Sequence, residues 1–278
     1  MQLLPGSDSI PIASSHSQPR HLARILGSRF IACVACLHLR RRGRCLDLET
    51  AAKIVHTSRT AALVYHVPRE FDGLQSFGWS FADLLDRVGN REHYVLVANT
   101  ARAASTDEAI RQAFDSRDVF LSLEHSTSQT NPVIKLEVLR ENLTTNDAAV
   151  VAALRELVSS NLDVIPLVSP TLDAVRSCAN AGATVVRILT GRIGSLNGIS
   201  QSAHLRQLVS QSPVPLFFEG GISSPDDVAQ ALDLGAAGVL VNTAFHESPD
   251  PVALCASMRY VLDKRPECLG DVPTGLPS

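Results

Sequence analysis

From residue 30 onward the chain alternates short runs of β-branched and apolar residues with amphipathic stretches of about a dozen residues. The apolar runs fall at 30–36, 61–67, 94–98, 133–138, 163–168, 184–189, 215–219 and 238–242, and they predict eight strands. Apolar positions recur with a helical period over 47–59, 106–114, 147–159, 171–180, 202–210 and 225–234, and a last helix over roughly 250–262 closes the series. The helix at 225 carries its own start signal. Ser224 stands at the N-cap, Pro225 at the first helical position, and Asp226 and Asp227 in the first turn beside the exposed N–H groups.

Eight strand–helix units in about 240 residues fit a (β/α)8 barrel, whose usual length is about 250 residues. An open, doubly wound sheet is the competing architecture. Against it, no Gly-x-Gly-x-x-Gly follows the first strand, and the glycines cluster after the sixth and seventh. The stretch 115–132 lacks a clear period, and its part 118–125 fits a ninth strand, a helix extension or an insertion. Residues 1–22 lack both a basic start and a continuous apolar block, so they are expected to form a disordered tail rather than a signal peptide. The barrel is then expected over 23–265, followed by a flexible tail over 266–278. No apolar run approaches the roughly 18 residues of a membrane span, and a cytoplasmic protein is expected.

Composition narrows the class. With 278 residues, 45% of them hydrophobic, and a net charge of -3, the chain can bury a sizeable core. Disorder, a collagen, a disulfide mini-scaffold and a strongly basic nucleic-acid binder are all disfavoured. The six cysteines are expected as thiols. Cys33, Cys36 and Cys45, with His38 close by, resemble a metal cluster, but a strand through 30–36 throws Cys33 and Cys36 to opposite faces, so no metal site is expected. Of the 25 basic side chains only three are lysines: Lys53, Lys135 and Lys264.

Lys135 lies in the fourth strand, Val133-Ile134-Lys135-Leu136-Glu137-Val138. Strand alternation puts Lys135 and Glu137 on one face and Ile134, Leu136 and Val138 on the other, so the lysine and the carboxylate point into the barrel. Barrel enzymes collect their reacting groups at the C-terminal ends of the strands. A lysine desolvated there has a lowered proton affinity and can attack a carbonyl to form an imine, with a carboxylate beside it to shuttle protons. A buried ion pair without chemistry is the plainer alternative. Glu219, ending the seventh strand, is the second acid/base candidate, with a capping or salt-bridge role as its alternative. Gly220 and Gly221 follow it, Asn242 and Thr243 end the eighth strand, and Gly191-Arg192-Ile193-Gly194-Ser195 follows the sixth. Glycines let a backbone approach an anion closely, and a helix N-terminus aims N–H groups at the same place, so these loops together suggest a phosphorylated substrate. His38 and His66, near the ends of the first two strands, are further acid/base candidates, though a lone histidine is more often structural.

In order and spacing these segments resemble the bacterial thiazole synthase family. The resemblance runs over about residues 25–262 and rests on Lys135-Leu136-Glu137-Val138, Arg192-Ile193-Gly194-Ser195, Glu219-Gly220-Gly221-Ile222 and Gly238-Val239-Leu240-Val241-Asn242-Thr243-Ala244, with Asn99-Thr100-Ala101 upstream. It implies a barrel without metal or organic cofactor, usually a homo-oligomer. It also implies a lysine imine with 1-deoxy-D-xylulose 5-phosphate, and sulfur delivered by the C-terminal thiocarboxylate of a small ubiquitin-like carrier protein. On that pattern Lys135 is the nucleophile and Glu137 and Glu219 move protons. Gly194, Ser195, Gly220, Gly221, Asn242 and Thr243, with Asn99 and Thr100, hold the phosphorylated sugar.

The chain departs from the family in places. Glu219-Gly220-Gly221-Ile222-Ser223 stands where the family usually has Asp-Ala-Gly-Ile-Gly, and Arg192-Ile193-Gly194-Ser195-Leu196 where it has Pro-Ile-Gly-Ser-Gly. The glycine-rich turn after the first strand is replaced by Cys36-Leu37-His38 and an arginine run, and an arginine pair after the second is reduced to Pro68-Arg69. Relatives in antibiotic pathways make 2-thiosugars from hexose phosphates such as glucose 6-phosphate, and the departures suit such a change of sugar. A barrel that binds phosphosugars without catalysis, or an imine-forming aldolase or isomerase, are readings of other classes. The run Arg40-Arg41-Arg42-Gly43-Arg44 is too short and too poor in aromatics for a nucleic-acid surface, and a role in attracting a phosphate or an acidic carrier is expected instead. Neutralising Arg40, Arg41 and Arg42 is expected to slow carrier-dependent turnover, more so at low salt; an unchanged rate removes that role.

Overall fold

A computed structural model describes residues 20–34, 46–66, 79–122 and 129–265. Cys36, His38, the arginines at 40–44, Cys45, Pro68, Arg69, most of the stretch read as an N-terminal tail and all of that read as a C-terminal one lie outside the described residues. Eight parallel strands form one sheet: β1 Phe30–Ala32, β2 Ala62–Tyr65, β3 Val95–Asn99, β4 Val133–Leu136, β5 Val164–Val168, β6 Val186–Leu189, β7 Leu216–Glu219 and β8 Gly238–Val241. The ladder runs β1-β8-β7-β6-β5-β4-β3-β2, and β1 meets β2 across the remaining seam, so the sheet closes into a (β/α)8 barrel.

Helices separate the strands: α1 Arg20–Ser28, α2 Leu48–Ser58, α3 Phe81–Val88, α4 Thr106–Ser122, α5 Asp147–Ser159, α6 Leu172–Asn180, α7 Ser202–Gln211, α8 Pro225–Asp233, α9 Thr243–Glu247 and α10 Pro251–Asp263. Local chemistry sets several starts. Asp47 caps α2 through Thr50 N, Thr171 caps α6 through Ala174 N, and Asp250 caps α10 ahead of Pro251. Ser224 and Asp227 form a reciprocal capping box on α8.

Each strand is buried on both faces, and its two side-chain rows enter different cores. Ile134, Leu136 and Val138 join the outer layer under the helices, together with Val186, Ile188, Phe218 and Val239. Val133, Ile165, Val185, Phe217 and Leu240 belong to the barrel interior. The same interior cluster takes Leu22, Ile25 and Leu26 from α1, which therefore plugs the N-terminal end of the barrel. With that end filled by apolar side chains, the polar inward residues are left to the opposite end.

The strand pattern corresponds to the observed elements, seven strands being shorter than their apolar runs and β3 equal in length but shifted by one residue. Helix α1 went unpredicted although Leu22, Ile25 and Leu26 recur at helical spacing, because the run is only nine residues long and lies before the first strand, partly within the stretch read as a tail. Of the irregular stretch, 115–122 is a helix extension, α4 continuing to Ser122, while 123–128 lie outside the described residues. Beyond it, Gln129 takes the place of a strand neighbour. Its Oε1 accepts from Leu96 N and its Nε2 donates to Leu96 O, both at 2.9 Å, just before β4 takes over the pairing at Val97. Ile25 is 1% exposed at the centre of the plug. Ile25→Ala is expected to lower the unfolding free energy by about 2–4 kcal/mol in urea titration, and a loss well below 1 kcal/mol would show that α1 is not part of the barrel core.

Candidate active site

At the C-terminal end of the strands a cleft of about 710 Å³, open to solvent, is lined by Lys135, Glu137 and Glu219. His66, Asn99, Arg102, Gly194, Ser195, Gly220, Gly221, Asn242 and Thr243 line it as well. The residues that sequence reasoning drew from five separate segments thus converge, except Thr100. That threonine is fully buried outside the cleft. Its Oγ1 accepts from Glu137 N at 2.9 Å and lies 3.1 Å from Glu137 O, so it fixes the backbone that carries the carboxylate.

Lys135 is 3% exposed and faces the barrel interior from β4, with Asn99 opposite it on β3. Its Nζ donates to Glu137 Oε1 and lies 3.3 Å from Glu219 Oε1. A fourth charge completes the group. Arg187, in the middle of β6 and 0% exposed, donates through Nη1 to Glu219 Oε2, and that nitrogen is 3.5 Å from Glu137 Oε1. Two cations and two carboxylates therefore share one buried site, and each carboxylate touches both cations.

This arrangement corrects the expectation of a lysine with lowered proton affinity. Burial, and next the Arg187 charge, do work against the ammonium, but Glu137 and Glu219 outweigh them and hold Lys135 above the ordinary lysine range. Burial likewise opposes the Glu137 carboxylate, and Lys135 and Arg187 overcome it, so its carboxyl is held below the usual range, with His66 adding to the effect. The resting lysine is charged, and any nucleophilic role begins with transfer of its proton.

Arg187 escaped the sequence reading. The signal was present: one arginine in the apolar run 184–189, at the alternation that points inward. Among 22 arginines it did not stand out as Lys135 did. The Glu219 departure also gains a physical meaning. Across β6 and β7 Arg187 is paired with Phe217, not Glu219, so the carboxylate must reach back along the strand to meet it. A glutamate has one methylene more than an aspartate for that diagonal.

The glycine loops behave differently from a simple anion cradle. Gly191, Gly198, Gly220 and Gly221 pack against one another: a Cβ on Gly220 would lie 2.5 Å from Gly191 O, and one on Gly221 2.3 Å from Gly198 O. Both Gly220 and Gly221 also have positive φ, 87° and 82°. Close loop-on-loop approach is thus one reason for these glycines. Ahead of α8, Asp227 Oδ2 accepts from Ser223 N and Ser224 N at 2.8 and 2.9 Å, so these two backbone donors are already engaged. Two other groups bear on an anion. Arg102, exposed and with φ of 54°, lines the cleft and makes no ion pair among the described residues. Asn242 Oδ1 is buried without a hydrogen-bond partner among the described residues. His66 Nε2 lies 3.3 Å from Asn99 Nδ2. Among the described residues no group of three or more His, Cys, Asp or Glu side chains is placed to hold a metal, and no helix is long and apolar enough to cross a membrane.

Fold and site together define a (β/α)8 barrel with a lysine–carboxylate centre at the C-terminal mouth. The chain belongs to the thiazole biosynthesis protein ThiG family, which it matches over residues 39–264. It is 27% identical over 218 residues to the thiazole synthase of Gloeobacter violaceus, covering 78% of this chain and 77% of that one. To the thiazole synthase of Azorhizobium caulinodans it is 33% identical over 192 residues, covering 68% and 67%. Among solved structures, the Amycolatopsis orientalis BexX/CysO complex contains a chain of the same fold, with a TM-score of 0.73 and 24% identity over 90% of this chain and 93% of that chain.

The ion pairs carry a pH signature. Glu137 is held low, so its stabilising contribution is complete above the unfolded carboxyl value of about 4.3 and is lost as pH falls through the lowered folded value. Lys135 is held high, so its contribution is complete below about 10.4 and is lost as pH rises through the folded value. Urea unfolding across this range is expected to show an acid-side decline that is shallower in Glu137→Gln than in the wild type. Equal slopes would mean that the carboxylate is not held by these partners.

Proposed function

We propose that the chain is a sulfur-inserting synthase in which Lys135 forms an imine with a phosphorylated sugar and sulfur arrives on the thiocarboxylate of a small ubiquitin-like carrier protein. The observation that carries this reading is a buried lysine set against two carboxylates in an open cleft at the strand ends. Family membership supports the sulfur chemistry. That a similarly folded protein forms a complex with CysO is in keeping with a protein partner here.

In this scheme Glu137 or Glu219 takes the proton of Lys135, and the neutral amine adds to the sugar carbonyl. The carboxylic acid so formed returns a proton to the departing hydroxyl, and water leaves as the imine forms. The same carboxylates then remove a proton from the adjacent carbon, which moves the reactive carbonyl along the sugar and opens it to the carrier's sulfur. Gly194, Ser195, Gly220, Gly221 and Thr243 border the phosphate, and Arg102 supplies its cation. Asn242 Oδ1 accepts from a sugar hydroxyl, and Asn99 with His66 borders the sugar on the opposite side of Lys135. Thr100 acts through the Glu137 backbone.

A second reading, a 2-thiosugar synthase acting on a hexose phosphate such as glucose 6-phosphate, is favoured by one feature. Glu219, a departure from the family's usual aspartate, reaches an ion pair with Arg187 beside the lysine, where the sugar carbons must lie. Both readings are tested together by incubating the protein separately with 1-deoxy-D-xylulose 5-phosphate and glucose 6-phosphate, reducing with borohydride and weighing it. A mass increase with one sugar that vanishes in Lys135→Ala is expected, and the sugar that reacts selects the reading. No adduct with either would sink the imine mechanism on these substrates.

A further inference from the structure

The chemistry proposed above asks a lysine to give up a proton while two carboxylates hold it. Arg187 bears directly on that step. Its head is fixed by three strands besides its own: Nε donates to Ile165 O on β5 at 3.0 Å, Nη2 to Leu136 O on β4 at 2.8 Å, and Nη1 to Glu219 at the end of β7. With every nitrogen engaged and 0% of the side chain exposed, it cannot swing toward solvent. A guanidinium also stays charged at any pH the protein meets. The site therefore contains one permanent positive charge and one removable one.

The charge count shows what the permanent charge does. Lys135, Arg187, Glu137 and Glu219 sum to zero as found. Without Arg187, a single ammonium would stand between two buried carboxylates, and the surplus negative charge would hold its proton more firmly. With Arg187, both carboxylates keep a cationic partner when the lysine becomes neutral, and the repulsion between two neighbouring cations is relieved. Among the described residues, two other titratable groups act on this cluster. Cys33, just past β1, adds a smaller pull that favours the lysine's charge, and His66, just past β2, acts on Glu137.

We propose that Arg187 is a positioning residue whose fixed charge shares Glu137 and Glu219 with Lys135 and so frees the lysine to become a neutral nucleophile. This rests on the reading of Lys135 as the imine-forming residue. Its test reads the lysine's proton without any sugar. The full chain is treated with formaldehyde and cyanoborohydride over a range of pH, and methylation of Lys135 is measured by peptide mass spectrometry relative to the exposed Lys53, since only a neutral amine reacts. In Arg187→Met the Lys135:Lys53 ratio is expected to fall about tenfold or more at a given pH, because the lysine then holds its proton more firmly. Arg187→Lys restores the charge and is expected to recover most of the ratio. Glu219→Gln keeps Arg187 but removes a carboxylate, and is expected to move the ratio the opposite way, upward. An unchanged ratio in folded Arg187→Met overturns the role. If that variant does not fold, an unchanged or lower ratio in Glu219→Gln overturns it. Absence of a sugar adduct in the wild type would count against the imine chemistry while leaving the methylation ratios readable, so the two failures are distinct.

Discussion

Four charges buried inside a barrel are the constraint around which the rest of this structure is arranged. Each ion taken out of water costs several kcal/mol, and the cost is offset only when every charge finds an opposite one and every leftover donor finds an oxygen. Here Lys135 and Arg187 each meet both Glu137 and Glu219, while the remaining guanidinium nitrogens reach carbonyls on β4 and β5. The neighbouring polar residues serve the same end. Thr100 anchors the backbone of Glu137, and Thr190 donates to the carbonyls of Glu219 and Gly220. The apolar plug from α1 fills the other end of the barrel and confines the polar interior to the mouth.

The same constraint shapes the cleft above it. The loops after β6 and β7 interlock through Gly191, Gly198, Gly220 and Gly221, which fixes how Glu219 leaves its strand. Asp227 engages the backbone N–H groups of Ser223 and Ser224 ahead of α8, and among the described residues Arg102 lines the cleft as an exposed cation. The cluster of four beneath it sums to zero charge and can exchange a proton internally without changing that sum.

Much of the fold was legible in the chain because its signals are local. The apolar runs located all eight strands, and Ser224-Pro225-Asp226-Asp227 located the start of α8 to the residue. Alternation alone turned Lys135 and Glu137 inward and Ile134 and Leu136 outward. Elements whose stability comes from distant partners were not legible. Helix α1 is too short to hold without the barrel floor that receives Leu22, Ile25 and Leu26, α4 is tied to β2 by Tyr65 Oη donating to Ser116 O, and the Gln129 clamp depends on β3.

By itself the sequence determined the barrel, the inward lysine, its adjacent glutamate and the glycine-rich strand ends, because periodicity and turn chemistry are properties of neighbouring residues. Only the tertiary structure decided which charges meet. Arg187 lies 52 residues beyond Lys135, and Glu219 another 32, distances at which no local pattern pairs side chains. Closing the sheet brings β4, β6 and β7 around one interior and turns an expected pair into a group of four. That closure also reverses the expected charge state of the lysine. Burial alone favours the neutral amine, but two carboxylates delivered by separate strands outweigh it.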